Sequence, residues 1–422
     1  MTGYDVLLGT LDHADKQTRL AGLEKIKAYT GNCSKGEDVN NHIHTTYSFS
    51  PYSPTKAVYM AYTSGLGTAG IMDHDSIAGA YEFIEAGRIM GIKTTIGVEC
   101  RVSMKDTFLS DIRINNPDQK GVAYCAIHGI PHTRIKEIGR YFKPYIEHRM
   151  ERNIKMIGNI NELMGKYDIA IDLIKDIIPV SMYHDGGTVT ERHILFALAE
   201  KLIMKFGKGA SLVRFLKEDM GSYISKKAMG YLMDEKNEIY PYDLLGVLKS
   251  DLISRIYVDA DEECPDVKDL ISLTRENGAI SAYAYLGDVG DSITGDKKAQ
   301  HFEDAYIEEL FELLVDLGFN AVTYMPSRNT EKQLDRVRQL CEKHGMFQIS
   351  GEDINQPRQR FVCEEMKRPE FKNLIDSTYA LIGHELEATA DIKRGMFSRE
   401  TVERIPALEA RIEYFKSKVS NG

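Results

Sequence analysis

Residues 68–99 read TAGIMDHDSIAGAYEFIEAGRIMGIKTTIGVE. A short apolar run over 68–72 stops at Asp73-His74-Asp75. A helical pattern over 77–90 follows and ends at Gly91, and a second apolar run over 93–98 ends at Glu99. Strand, helix, strand in that order needs a crossover connection, and a crossover joins parallel strands. The stretch therefore predicts an α/β fold with a parallel sheet, and sheets of this kind often close into a barrel.

Working outward, Ser53-Pro54 opens a helix that runs to residue 64 and stops at Gly65-Leu66-Gly67. Proline suits the first helical turn because the N–H it lacks has no partner there. Residues 38–46 read as a strand entering a polar loop, and 15–29 as a helix within an N-terminal adaptor, 1–40. The run 121–127 reads as a strand that ends at His128. The rhythm then changes: 131–265 carries helical patterns with no strands between them, including an apolar helix opened by a capping box at Thr188 and Glu191. From 265 the alternation returns, with helices over 267–276, 301–317 and 331–344 and strands over 279–284, 320–324 and 346–350. The expected organisation is a discontinuous barrel (41–130 and 266–422) interrupted by an all-helical insertion (131–265).

Composition excludes several classes. Of 422 residues, 43% are apolar and 27% charged, the balance of a folded globular chain rather than a disordered one. With 53 basic and 63 acidic residues the net charge is −10, which argues against binding duplex nucleic acid. No apolar stretch is long enough to span a membrane and no secretory signal opens the chain, so a cytoplasmic location is expected. The six cysteines, Cys33 among them, form no CxxC pair, which predicts free thiols in a reducing compartment and no cysteine-based zinc site.

The residues capable of chemistry fall at the ends of the expected strands: His42 and His44, Asp73 and His74, Glu99, His128 and Asp353. In βα barrels the strand C-termini form the catalytic rim. Residues i and i+2 of a strand share a face, so His42 and His44 can grip one ion, although two solvated loop histidines fit the same pattern. Asp73 and Asp75 also suit the capping of the next helix. Glu99 closes an apolar strand, where a carboxylate is costly unless paired or metal-bound. His128 fits either a ligand or a core histidine. Arg328 and Arg358 lie in loops after the last two strands, as forks for an anion or as surface arginines.

Taken in order, these residues resemble the polymerase-and-histidinol-phosphatase (PHP) superfamily. The matching segments are HIHTTYSFSPYSP (42–54), IMDHDSIAGA (71–80), IGVE (96–99), AIH (126–128), GAISAYAYLG (278–287) and ISGEDIN (349–355). The resemblance implies a distorted (β/α)7 barrel with a metal cluster at its rim and a phosphoric ester hydrolase activity. His42, His44, Glu99 and Asp353 occupy all four positions of the first metal site. At the second, Glu99 bridges and His128 ligates, but Tyr285 stands where a histidine is usual. At the third, His74 is present, while Phe49, Ser50 and Asn355 stand in ligand positions. One divalent metal (zinc, manganese or iron) is thus expected, with room for a second. Asp73 or His74 would move protons, and Arg328, Arg358, Tyr285 and Asn355 would surround a small phosphorylated metabolite or nucleotide. The departures also fit a barrel that binds without turnover, or a mononuclear amidohydrolase-like hydrolase. The sequence carries no signal for an oligomeric state.

Overall fold

The computed structural model describes residues 3–30, 36–288 and 303–420. Cys33 and the start of the expected 301–317 helix lie outside these residues. Seven strands form one curled sheet in sequential order: β1 Asp38–Ile43, β2 Leu66–His74, β3 Lys93–Ser103, β4 Val122–His128, β5 Ile280–Ala284, β6 Ala321–Tyr324 and β7 Phe347–Ser350. The segment after β7 returns to β1 through a bridge between Ile43 and Ile354, with His44 N donating to Ile354 O at 2.9 Å and Ile354 N to His42 O at 3.1 Å. The two ends of the chain's barrel half thus meet beside the histidine pair.

Two features differ from the expectation. β3 does not end at Glu99 but runs on to Ser103, so Glu99 lies within the strand. β4 is antiparallel to both β3 and β5, whereas β1–β2–β3 and β5–β6–β7 are parallel. The cause is the connection: no helix lies between β3 and β4, and without a crossover the chain can only return in the opposite direction.

The helix Pro54–Thr63 starts as expected, with the Ser53 side chain accepting from Lys56 N at 3.1 Å. Leu11, Leu23 and Ile26 of the N-terminal helices join the main core, and buried Arg19 pairs with Glu82 at 2.5 Å, so this segment is welded to the barrel. The helix Lys372–Ala390 packs across β1, β3 and β7. It takes Asn41 Nδ2 on Thr378 Oγ1 at 2.7 Å and Ile96 N on Glu385 Oε2 at 2.9 Å.

Between β4 and β5 the described residues hold helices and turns only, with a second hydrophobic core of their own built around Ile160, Leu198, Leu212 and Leu248. The capping box is shifted from the expected position. The helix Glu191–Phe206 is capped by Thr190, with His193 reaching back to Thr190 N at 3.0 Å. Glu191 is drawn off instead by Arg101 and Arg152. No helix among the described residues is long and apolar enough to cross a membrane.

One buried carboxyl makes the fold's stability pH-dependent. Burial pushes Glu303 up to about 7, although the Tyr283 hydroxyl, Gly287 N (2.6 Å) and Leu286 N (3.1 Å) all donate to it. The folded state therefore holds this proton after the unfolded chain has released it. Its contribution is complete below the ordinary glutamate value of 4.5 and is lost as pH rises towards about 7. Glu303→Gln should flatten that fall, by up to about 3 kcal/mol, in denaturant titrations run at pH 4.5 and pH 8. An unchanged slope would show that Glu303 ionises normally in the fold.

Candidate metal centre

β1 is irregular where it matters. Its register slips between Asn40 and Ile43, and His42 N donates to Asn40 Oδ1 at 2.9 Å. Such a bulge re-aims side chains at a barrel rim. Gly351, just past β7, lies so close that a Cβ there would stand 2.7 Å from His42 Cβ, so only glycine lets the two segments meet.

His44 is oriented from behind. Its Nδ1 lies 3.1 Å from Ser48 Oγ, and Ser48 gives its own proton to Asp73 Oδ1 at 2.6 Å. Ser48 can then only accept from His44, which fixes the neutral ring with its proton on Nδ1 and a lone pair on Nε2. Asp73 also accepts from Thr45 N (2.7 Å) and Thr45 Oγ1 (2.6 Å). Both its oxygens are occupied, which corrects the expectation that Asp73 moves protons; it holds the loop that carries His44.

Three side chains converge, and a fourth, Asp353, lies against one of them. His42 Nε2 and His44 Nε2 stand 3.2 Å apart, and Glu99 Oε2 is 3.6 Å from each. Asp353 Oδ1 lies 3.3 Å from His44 Nε2. Ligand bonds of about 2.0–2.1 Å in a tetrahedron give edges of about 3.3–3.4 Å, close to the spacing found. His74 Nδ1 approaches Glu99 Oε2 at 3.1 Å from the far side. Asn355 Nδ2 donates to Asp353 Oδ1 at 2.7 Å and steadies it.

The electrostatics match a cation site. Burial opposes the charge on Glu99, yet His42, His74 and His44 hold its carboxyl down to about 2. Asp353 is held well below the usual range against its burial by His44 and His42, with Arg328 adding to the effect. Burial lowers His44, but Asp353 and Glu99 outweigh it and raise the ring. Burial takes His74 down to about 3 despite Glu99, so it is neutral at any ordinary pH. His128 follows from register: Ala126 faces Glu99 across β3 and β4, so His128 two residues on shares that face. It is buried, is pushed down to about 3 by that burial, and its Nε2 has no hydrogen-bond partner. A neutral imidazole with an orphaned buried nitrogen fits a further ligand. The donors present thus suit one metal ion held by His42, His44 and Glu99, with Asp353 against His44 and with His128 and His74 flanking.

Residues 40–176 match the PHP domain. The resemblance read from the motifs is therefore met over the first half of the barrel and the start of the helical region. Two solved structures share the overall fold, each at a TM-score of 0.51 and 16% identity. One is an inferred metal-dependent phosphoesterase of Bifidobacterium adolescentis, covering 81% of this chain and 98% of that one. The other is an amidohydrolase of Chromobacterium violaceum with bound sulfate and no metal, covering 78% and 90%. Among curated proteins, a 5'-3' exoribonuclease of Haemophilus influenzae is 34% identical over 74 residues. That match spans 18% of this chain and 27% of the relative, about a quarter of its length. The PHP match and the converging donors support a metal-binding site.

The donor cluster lies at the end of a cleft of about 160 Å3, open to solvent. Arg328, Tyr285 and Asn355 line it. Tyr285 offers its ring rather than its oxygen, because its hydroxyl donates to Asp304, which Gln333 Nε2 also reaches at 2.7 Å. Arg358 does not reach the cleft, and the expectation that it binds substrate is corrected. Its Nε pairs with Asp243 at 2.6 Å and its guanidinium lies 3.6 Å from the Tyr231 ring centre, so it ties the loop after β7 to the insertion. Arg192 and Lys249 of the insertion line the cleft instead, and sequence reasoning missed both. Neither has a signature, since each sits on a helix among many exposed charges.

The lost third-site ligand has a structural explanation. Phe49 is buried in the core of the insertion, edge-on to His193 (5.0 Å between ring centres) and Phe196 (5.6 Å), with the Arg192 guanidinium 5.5 Å from its ring. The loop that could have supplied a ligand has become a plug.

Proposed function

We propose that this chain is a metal-dependent phosphoesterase acting on a small phosphorylated metabolite or nucleotide. The observation that carries the reading is the convergence of two imidazoles and the Glu99 carboxylate, with Asp353 against His44, at the end of a cleft that also presents Arg192, Lys249 and Arg328. A bound divalent metal would lower the pKa of its water towards neutrality and offset charge on phosphoryl oxygens. Zinc, manganese and iron all suit this mixed nitrogen and oxygen donor set.

The chain's own residues supply the rest. His42, His44, Glu99 and Asp353 fix the cation, and the Ser48–Asp73 pair fixes His44. His74, neutral and with Nδ1 on Glu99, passes a proton on rather than holding one. Arg328, with Arg192 and Lys249 opposite, neutralises and orients the anionic substrate. Tyr285 and Tyr124 give the cleft flat apolar faces on which a base or sugar can lie. A single-stranded 5'-phosphorylated RNA end is the second reading, favoured by the match to the exoribonuclease. The acidic chain makes duplex nucleic acid a poor partner, and five buried free thiols fit a reducing, cytoplasmic setting.

The test is a panel assay with added manganese or zinc. Mononucleotides, sugar phosphates and short 5'-phosphorylated RNA are supplied in parallel, and phosphate and mononucleotide release are measured. Phosphate from a small ester supports the main reading, and mononucleotides from RNA the second. Metal binding with neither product, together with hydrolysis of an amide, would move the chain to the amidohydrolase-like reading.

A further inference from the structure

The insertion and the metal-bearing strands are joined by a buried ionic lattice. Three arginines, Arg101 on β3 and Arg149 and Arg152 on the helix Ile135–Gly165, face three carboxylates, Asp75, Glu191 and Glu263. Arg149 Nη2 meets Asp75 Oδ2 at 2.8 Å, and Arg149 Nε meets Glu263 Oε1 at 3.3 Å. Arg101 Nη2 lies 3.2 Å from Glu191 Oε1 and also contacts Glu263, which Arg152 holds from the other side. All six are buried or nearly so, and the charges sum to zero, which is the condition under which buried ions persist.

Asp75 is the member that bears on the metal centre. It follows His74 directly and adopts φ 52°, a left-handed conformation uncommon outside glycine. Asp75 N donates to Glu99 O at 2.8 Å, and Ser76 Oγ donates to Gly186 O of the insertion at 2.8 Å. The turn that aims His74 at Glu99 is thus strained, and strained turns persist only where surrounding contacts over-determine them. Here the contact is Arg149, delivered by the insertion.

We propose that Arg149 is a positioning residue for the metal centre: by gripping Asp75 it holds the left-handed turn that sets His74 against Glu99, so the insertion completes the site from behind as well as walling the cleft. The proposal rests on reading the His42, His44, Glu99 and Asp353 cluster as a metal site.

The test uses the full chain and manganese or zinc alone. Metal affinity is measured by chelator competition for the wild type, Arg149→Met, Arg149→Lys and Arg152→Met, with thermal unfolding recorded for each. Arg152 shares the lattice but does not touch Asp75, so Arg152→Met controls for loss of a buried charge. Arg149→Met is expected to weaken metal binding up to about 10-fold, the lower end of the effect of removing an orienting partner of a ligand, since Arg149 reaches the ligand Glu99 only through the turn and His74. Arg149→Lys should recover part of that loss, and Arg152→Met should lower the unfolding temperature while leaving metal affinity unchanged. Equal metal affinity in Arg149→Met and wild type, or equal losses in Arg149→Met and Arg152→Met, overturns the proposal. A wild type that binds no metal sinks the metal reading itself. Should Arg149→Met not fold, Asp75→Asn reports on the same grip, and unchanged metal affinity there overturns the proposal equally.

Discussion

His42→Ala empties the centre. The variant should fold, because His42 sits at the rim and its backbone, not its ring, closes the barrel against Ile354. Its ring nitrogen is one of the three converging donors, only 3.2 Å from the next. Removing it leaves one imidazole and the Glu99 carboxylate, with Asp353 beside that imidazole, and deprives the cation of a ligand. The expected result is substoichiometric metal by elemental analysis and a fall in turnover on the order of 10^3-fold, equivalent to several kcal/mol. Full metal occupancy with undiminished turnover would remove the assignment of the centre.

The second large effect is on stability. Phe49→Ala takes the plug out of the insertion's core and should cost about 3–5 kcal/mol, the usual range for a buried phenylalanine. Phe49 also stands at φ 95°, a conformation that alanine bears no better. Phe49→Gly should therefore be less destabilising than Phe49→Ala by about 1 kcal/mol, the reverse of the usual order. Hydrogen exchange should show protection lost first in the helices Glu191–Phe206 and Tyr240–Ile256, which carry the plug's partners. A Phe49→Ala variant within about 0.5 kcal/mol of wild type would mean that the insertion docks by other contacts.

These outcomes bear on what a sequence reveals. The alternation of strand and helix around residues 68–99 was legible because apolar periodicity reports an element's type. Strand direction is not in that periodicity, so the reversal of β4 could not be read. The absence of a helical pattern between residues 104 and 121 was the available signal. His42, His44, Glu99 and Asp353 were legible because ionisable groups at the ends of apolar runs demand a partner. The role of Asp73 was not, since its donors Thr45 and Ser48 precede it by 25–28 positions. Arg358 read like Arg328 because both follow a late strand. Only the fold brings Asp243, 115 residues away, to claim one and leave the other in the cleft.

The hairpin between β3 and β4 has a further consequence. A crossover helix packs against the sheet, so altering its length shifts the strands it joins; a loop between antiparallel neighbours carries no such load. Pro117 and Asp118 belong to that loop and overhang the cleft. Insertions there would widen or narrow the mouth while the histidines stay where they are.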